Sequence, residues 1–233
     1  MEDWKRLGKE HTSNVVAVKS SKPCCYVSLQ KEQRILELFK GCEEILQCYF
    51  YQDTIENGRR TYNLFMEYTP CGTLDDLIKK GSLSEKEYQL KIADFGLSNT
   101  IGDANVGLGE IMFRGTPIYM SPESIIGLMG TALDIWSLGC IVIEMMTGFP
   151  PWTNIQSIEE LMWKLGLLQE VPKILDELNW DCKNFLSKCF AKDHRERWSV
   201  AMLLDHPFIQ KEYPTSSMFN PSSFFSYDIS NRR

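Results

Sequence analysis

The longest apolar run of the chain, from Ile135 to Met146, constrains the fold more than any other sequence feature. Ser137 and Glu144 interrupt this run, and it is too short to cross a bilayer, which takes about 20 apolar residues. Gly148 follows it closely, as is typical of a residue just past a helix end. The run therefore predicts a buried helix inside a helical domain. With 233 residues, of which 43% are hydrophobic, the chain is long and apolar enough to build the surrounding core.

The apolar pattern differs between two parts of the chain. Residues 14–68 contain short β-rich runs (NVVAVKS, EILQCYFYQ, YNLFMEY) around one helical stretch, SLQKEQRILELFK. Helical patterns dominate from Leu74 to Ile209. They are LDDLIKK, ALDIWSLGCIVIEMMTG, SIEELMWKLG, CKNFLSKCF and SVAMLLDHPF. The chain is therefore predicted to have an α+β fold, with a small β-rich lobe followed by a larger α-helical lobe.

The domain bounds follow from where these patterns begin and stop. We expect the first lobe at 1–68, a hinge at 69–73 around Pro70 and Gly72, and the second lobe at 74–212. The remaining residues, 213–233, are rich in Ser and Pro, a composition typical of a disordered tail.

Charge and cysteine usage exclude several classes of protein. The net charge of −6 argues against nucleic acid or an anionic membrane as the main partner, since both favour basic surfaces. The charged start, MEDWKRLGKEH, does not resemble a secretory signal. Eight cysteines at irregular spacing give neither a zinc pattern nor a small disulfide scaffold, so we expect reduced thiols. We expect a cytoplasmic protein, with the nucleus as a further compartment.

Four motifs in order carry the chemical signal. The first is KIADFGLS at 91–98, in which Asp94 follows a β-type run and offers a carboxylate for Mg²⁺ at a turn. RGTPIYMSPE follows at 114–123, and then LDIWSLGCIVIEMMTGFPPW and RERWSVAMLLDHPF. Each motif alone is weak evidence, but their order makes the combination specific.

Together these motifs resemble the domain of eukaryotic Ser/Thr protein kinases, of the MAP kinase kinase kinase type and similar to its small plant members. The likeness covers roughly residues 4–210. In VAVK, it places Lys19 where the family grips the α- and β-phosphates of ATP, and it makes Glu32 the ion-pair partner. Glu32 shares a helix face with Leu29, Leu36 and Phe39, and an inward-facing carboxylate needs a cation nearby. The resemblance assigns nucleotide contacts to Lys19, Ala17, Met66, Glu67 and Thr69.

The resemblance also implies the remaining site residues. Asp94 matches the Mg²⁺ ligand, while Glu123 and Arg197 match a buried structural pair that anchors the activation segment. Asp134 matches a buried residue that accepts hydrogen bonds from the catalytic loop. ATP and Mg²⁺ are the implied cofactors, and a MAP kinase kinase is the implied protein partner. The candidate phosphosites are Ser98, Thr100 and Thr116.

The sequence departs from this family at two places. The family's H-R-D-x-x-x-x-N loop supplies the aspartate that accepts the substrate proton and an asparagine that holds a second Mg²⁺. Here SLSEKEYQL runs straight into KIADFG, so that loop is absent between residues 90 and 91. His194 lies in H-R-E-R, but far beyond KIADFG and followed by Glu196 in place of the aspartate. The glycine-rich loop is absent as well, because LGKEHTSNVVAVK contains only Gly8.

Three hypotheses follow. The chain is a Ser/Thr kinase of the MAP kinase kinase kinase type, a pseudokinase-like binding scaffold, or a poorly folded product of a truncated gene model or splice form. Because the proton acceptor and one metal ligand are missing, we expect catalysis by this chain to be impaired. In the family, the glycine-rich loop covers the phosphates and the strand after the catalytic loop lies under the adenine, so damage to both also argues against ATP binding.

Overall fold

A computed structural model describes residues 3–7, 15–21, 26–56, 58–81, 89–99 and 115–210, of which 3–7 are described by backbone alone. They divide into two compact units. The first consists of the described residues of Met1–Leu74 and Glu87–Thr100, and the second of those of Asp75–Lys86 and Ile101–Arg233. Among the described residues, no helix combines the length and the apolar character needed to span a bilayer.

The first unit is an antiparallel sheet with one helix. Its strands are β1 (Asp3–Leu7), β2 (Val16–Ser21), β3 (Cys48–Glu56) and β4 (Arg59–Glu67), in the spatial order β1-β2-β4-β3. Helix α1 (Tyr26–Leu38) lies between β2 and β3 in sequence. The core of the unit is built by residues from α1, the α1–β3 loop and β4. They are Leu29, Leu36, Ile45, Leu46, Tyr62, Leu64 and Met66.

Register in the sheet places the candidate nucleotide residues beside one another. Lys19 of β2 lies opposite Leu64, and Ala17 lies opposite Met66. Because side chains alternate along a strand, Ala17 and Lys19 share one face of β2. A parallel bridge between Ile45 and Ile92 attaches the segment before Asp94 to the same unit.

The second unit is helical. It contains α2 (Leu74–Lys79) from Asp75 onward, a 3₁₀ turn (Pro117–Tyr119), α3 (Pro122–Ile125) and α4 (Ala132–Thr147). These are followed by α5 (Ile158–Gly166), α6 (Trp180–Cys189), α7 (Val200–Leu204) and α8 (Pro207–Gln210). Helix α4 packs against α6. Gly139 makes this close approach possible, because a Cβ there would lie 2.8 Å from Cβ of Cys189 and 2.9 Å from the Phe190 ring.

The helix ends follow from local sequence. The side chains of Ser157, Asn179 and Ser199 accept backbone N–H groups in the first turns of α5, α6 and α7. Gly148 ends α4 with a φ of 74°, the left-handed conformation that favours glycine.

The α+β fold with a small sheet and a larger helical part is confirmed, with three differences in detail. The sequence did not predict strand β1. The EILQCYFYQ run forms a strand only from Cys48, because Glu44 and Leu46 bond to the backbone of Ile92 and the carbonyl of Ile45 accepts from the Gln47 side chain. The SVAMLLDHPF run forms two short helices, α7 and α8, rather than one. The expected tail at 213–233 lies outside the described residues.

Candidate functional site

A buried lysine between two carboxylates forms the centre of the first unit's site. Lys19 lies fully inside, and its Nζ donates to Oε2 of Glu32 at 2.7 Å and to Oδ1 of Asp94 at 2.8 Å. The structure therefore brings together three residues that are widely separated along the chain. Two carboxylates around one ammonium leave the cluster with a formal charge of −1.

The helix α1 explains why Glu32 is buried. Leu29 and Leu36 flank it on the same face, and all three residues are buried. A buried carboxylate without a cation would cost several kcal/mol, roughly the effective penalty for burying an ion. Lys19 supplies that cation from the adjacent strand. Phe39 lies one residue past the helix and is 43% exposed, so it does not extend this buried face.

Asp94 differs from Glu32 because its side chain is 69% exposed. Its backbone has a φ of 65°, a left-handed conformation that is uncommon outside glycine but tolerated by aspartate. One carboxylate oxygen meets Lys19, while much of the carboxylate faces solvent. An exposed hard oxygen ligand of this kind fits a Mg²⁺ ion that also binds phosphate oxygens, since Mg²⁺ takes only one or two protein carboxylates in such sites.

The segment before Asp94 is held by the α1–β3 loop. The N–H of Ile92 donates to the carbonyl of Glu44 at 2.8 Å, and the N–H of Leu46 donates to the carbonyl of Ile92 at 3.0 Å. The Nζ of Lys91 donates to Oε2 of Glu67 at 2.9 Å. These contacts fix the approach of the chain to Asp94 without any strand from the absent catalytic loop.

Sequence reasoning missed Gln47, which organises this loop. Its side-chain amide donates to the carbonyls of Cys42 and Ile45, each at 2.8 Å, and its Oε1 accepts the N–H of Gly41 at 2.8 Å. The sequence signal was weak, because a lone glutamine in a β-rich run is indistinguishable from a solvent-facing residue. Gln47 therefore supports Asp94 indirectly, through the loop that pairs with Ile92.

The hinge residues lie at the end of β4. Met66 is buried, and Glu67 donates its N–H to the carbonyl of Gln47 at 2.9 Å. Thr69 is exposed, and its carbonyl accepts the N–H of Gly72 at 3.4 Å. The N–H of Glu67 is thus occupied within the unit.

The buried pair predicted in the second unit is present. Arg197 contacts both carboxylate oxygens of Glu123, one of them at 3.1 Å, and also donates to the carbonyl of Ala132 at 2.7 Å. Burial alone would raise the pKa of Glu123, but hydrogen bonds from Arg197 and the backbone lower it below the ordinary value of 4.5. This arrangement anchors α3 to the start of α4 and to the chain after α6.

Asp134 lies in the first turn of α4 with its side chain exposed, rather than in the buried position that the resemblance implies. Partial burial among its neighbours nevertheless raises the pKa of its carboxyl above the usual value.

The candidate phosphosites have different surroundings. The hydroxyl of Ser98 donates to the carbonyl of Phe95 at 2.7 Å, so phosphorylation there would break a turn. Thr116 is exposed, next to Gly115 with a φ of 110°. Thr100 and Gly8 lie outside the described residues. Within the described ranges, no cluster of three or more His, Cys, Asp or Glu side chains could hold a metal ion on its own.

Comparison with known proteins identifies the family. The protein kinase domain family matches residues 83–209. Mitogen-activated protein kinase kinase kinase 20 of Arabidopsis thaliana is 33% identical over 237 residues, covering 84% of this chain and 69% of the relative. Mitogen-activated protein kinase kinase kinase 17 of the same plant is 33% identical over 241 residues, covering 85% of this chain and 63% of the relative. Human mitogen-activated protein kinase kinase kinase 4 is 30% identical over 242 residues, covering 85% of this chain and 15% of the relative.

The chain therefore spans about two thirds of the length of the two plant relatives and a small part of the human one. These matches point to the same family as the motifs around Asp94, Glu123 and Arg197. This chain belongs to the Ser/Thr protein kinases of the MAP kinase kinase kinase type.

Proposed function

We propose that this chain is a member of the MAP kinase kinase kinase family in which phosphoryl transfer to protein substrates is severely impaired. One observation carries the proposal: the Lys19–Glu32–Asp94 cluster is assembled, but the polypeptide passes directly from Leu90 to Lys91, with no H-R-D loop in between. The roles proposed for these residues are phosphate binding for Lys19, its orientation for Glu32, and Mg²⁺ binding for Asp94.

The chemistry explains why the cluster alone is insufficient. ATP and Mg²⁺ supply the transferable phosphoryl group and neutralise its developing charge. In this chain, Lys19 is the residue that would hold the phosphates and Asp94 the one that would hold the metal. The residues between Gln89 and Asp94 carry no carboxylate that could accept the substrate's proton. General base catalysis contributes about 10²–10⁴-fold to a reaction, so we expect at least this loss.

The alignment with the plant relative supports an internal deletion. The 237 aligned positions exceed the residues that 84% of a 233-residue chain can supply, so the relative contains residues within the alignment that this chain lacks. We propose that the family's catalytic loop is among these residues, lost at the junction of Leu90 and Lys91. The proposed domain limits remain 1–68, 69–73 and 74–212.

A transfer assay tests the proposal. The purified chain is incubated with Mg-ATP, a MAP kinase kinase and a generic basic substrate, beside an Asp94→Ala variant and an active kinase of the same family. We expect phosphate incorporation by the chain to equal that of the Asp94→Ala variant. Incorporation clearly above that control, at rates approaching the active relative, would refute the proposal.

A second candidate function is binding without catalysis. The buried Arg197–Glu123 pair holds the segment around Pro122 in place, so the second unit keeps an ordered surface at this segment. We propose that this surface holds a protein partner, with a MAP kinase kinase as the first candidate. Co-purification that survives Lys19→Ala would support this function, and failure to retain any MAP kinase kinase would count against it.

The remaining alternative is a truncated product that does not form a working domain. A thermal melt followed by circular dichroism separates it from the binding function, because only a folded domain gives a cooperative transition. Sequencing the transcript between the codons for Leu90 and Lys91 tests whether a coding block has been omitted.

A further inference from the structure

The segment that follows Asp94 lies along helix α1 and is attached to it by polar contacts. The hydroxyl of Ser28 donates to the carbonyl of Gly96 at 3.4 Å. One turn further along the helix, the Nζ of Lys31 donates to the carbonyl of Ser98, and it lies 3.1 Å from Oδ1 of Asn99. The next residue of the helix, Glu32, is the buried partner of Lys19. The same helix therefore holds both the lysine cluster and the chain after Asp94.

The contact of Lys31 is transmitted to Asp94 through a tight turn. The N–H and the hydroxyl of Ser98 both donate to the carbonyl of Phe95, at 3.1 and 2.7 Å. The carbonyl that Lys31 holds is thus fixed relative to Phe95, whose ring packs against the core of the first unit. Asp94 directly precedes Phe95.

Asp94 needs such support because of its backbone conformation. The left-handed region is uncommon for aspartate although aspartate tolerates it, and such a conformation persists when its surroundings determine it. The φ of Asp94 is 65°. On one side, the bridge between Ile92 and Ile45 holds the chain. On the other side, Phe95 packs against the core, and polar contacts with α1 come from Ser28 and from Lys31, whose bond to the carbonyl of Ser98 is assisted by charge.

We propose that Lys31 is a positioning residue, which holds the 96–99 segment on α1 and thereby keeps Asp94 beside Lys19. Lys31 touches neither Lys19 nor Asp94 and acts through the turn at Ser98. The proposal rests on the geometry of the first unit and does not depend on whether the chain transfers phosphate.

Amide hydrogen exchange measured by NMR tests this role. The Ser98 amide, bonded to the carbonyl of Phe95, reports whether the turn is closed, and the Ile92 amide, bonded to the carbonyl of Glu44 at 2.8 Å, is an internal reference. In Lys31→Met, loss of a hydrogen bond from a charged donor is expected to speed exchange at Ser98 about tenfold. Exchange at Ile92 is expected to stay at the wild-type rate.

Two further variants control the experiment. Arg34→Met removes an exposed cation from the same helix and is expected to leave both amides unchanged. Lys31→Arg keeps a charged donor and is expected to restore slow exchange at Ser98. Unchanged exchange at Ser98 in Lys31→Met would overturn the proposal, because Lys31 would then not hold the turn closed. An equal acceleration at Ser98 and Ile92 would also overturn it, because it would show only a general loss of stability.

A second measurement follows Asp94 itself. Lys19 is buried against Asp94 and Glu32, so displacement of Asp94 uncovers its ammonium group. Labelling of Lys19 by a small amine-acylating reagent, quantified by mass spectrometry, is expected to be faster in Lys31→Met than in Arg34→Met. If Ser98 exchanges faster while the labelling of Lys19 does not change, Lys31 only closes the turn and does not position Asp94.

Discussion

Replacing Arg197 with methionine tests how the second unit is held together. Its guanidinium contacts both carboxylate oxygens of Glu123, donates to the carbonyls of Ala132 at 2.7 Å and Ala191 at 3.1 Å, and lies 5.1 Å from the ring centre of Trp136. Methionine keeps the apolar stem and removes every one of these donors. The substitution leaves the buried carboxylate of Glu123 without its cation.

The expected cost follows from that uncompensated charge. Removing one partner of a buried pair destabilises a protein by about 3–5 kcal/mol. Because a domain is stable by only about 5–15 kcal/mol, this loss is a large part of the total. Replacing Glu123 with leucine as well removes the buried charge, so the double variant is expected to be more stable than Arg197→Met alone.

Urea denaturation followed by circular dichroism and tryptophan fluorescence measures the effect. Arg195→Met is the matched control, since Arg195 lies two residues away and bonds to Asp193 at 2.7 Å, but its side chain is 78% exposed. We expect no measurable change for Arg195→Met, because an exposed pair is screened by solvent. Equal effects of the two arginine variants would refute the reasoning that burial gives the Arg197 pair its importance.

The same pair predicts the direction of the pH dependence. The folded-state pKa of Glu123 lies below its ordinary value of 4.5, so the folded state binds fewer protons than the unfolded state. The contribution of the pair is therefore complete above pH 4.5 and is lost as the pH falls through the folded-state pKa. In Arg197→Met, this loss of stability on acidification is expected to disappear.

Three further predictions concern single contacts. Gly96→Ala places a Cβ 2.8 Å from Oγ of Ser28, so it is expected to lower the melting temperature. Adding Ser28→Ala is expected to recover part of the loss, and equal melting temperatures for Gly96→Ala and the double variant would contradict this clash. Gln47→Ala removes the acceptor and donors that organise the loop before β3, and is expected to speed amide exchange at Ile92, while unchanged exchange would show that the loop holds itself. His206→Ala removes a buried ring bonded to Asn184 and to the N–H of Phe208, each at 3.0 Å. It is expected to lower the free energy of unfolding, measured by urea denaturation, by about 1–3 kcal/mol. A loss no larger than that of a substitution at an exposed residue would exclude this role.

The sequence predicted the parts of the site that depend on strong periodic patterns. Glu32 was predicted to face inward from its helical spacing with Leu29, Leu36 and Phe39. Glu32, Leu29 and Leu36 are buried, whereas Phe39 lies past the end of α1 and is exposed. The long apolar run forms α4, which ends at Thr147 before Gly148. This was predictable because the apolar run and the glycine that ends the helix are both local features of the sequence.

The remaining features depend on contacts between residues distant in sequence. The sequence around Gln47 does not indicate that its side-chain amide bonds to several loop carbonyls. Likewise, the sequence around Lys31 does not indicate that its side chain contacts residues 98 and 99. The resemblance matches Asp134 to a residue that the family buries, whereas its side chain is exposed here, and no local pattern in the sequence distinguishes the two. Side-chain roles of this kind follow from tertiary packing, which periodicity does not encode.

The absence of the catalytic loop separates two tasks that a complete kinase combines. Asp94 stays beside Lys19 because its supports come from residues 44–46 and from α1, all within the first unit. The proton acceptor, in contrast, belongs to the absent segment and has no substitute between Gln89 and Asp94. Deleting that segment therefore removes the base without removing the reason for Lys19 and Asp94 to meet. We propose that one contiguous block was lost, since the loss of single motif residues would not remove the family's whole H-R-D-x-x-x-x-N segment between Leu90 and Lys91.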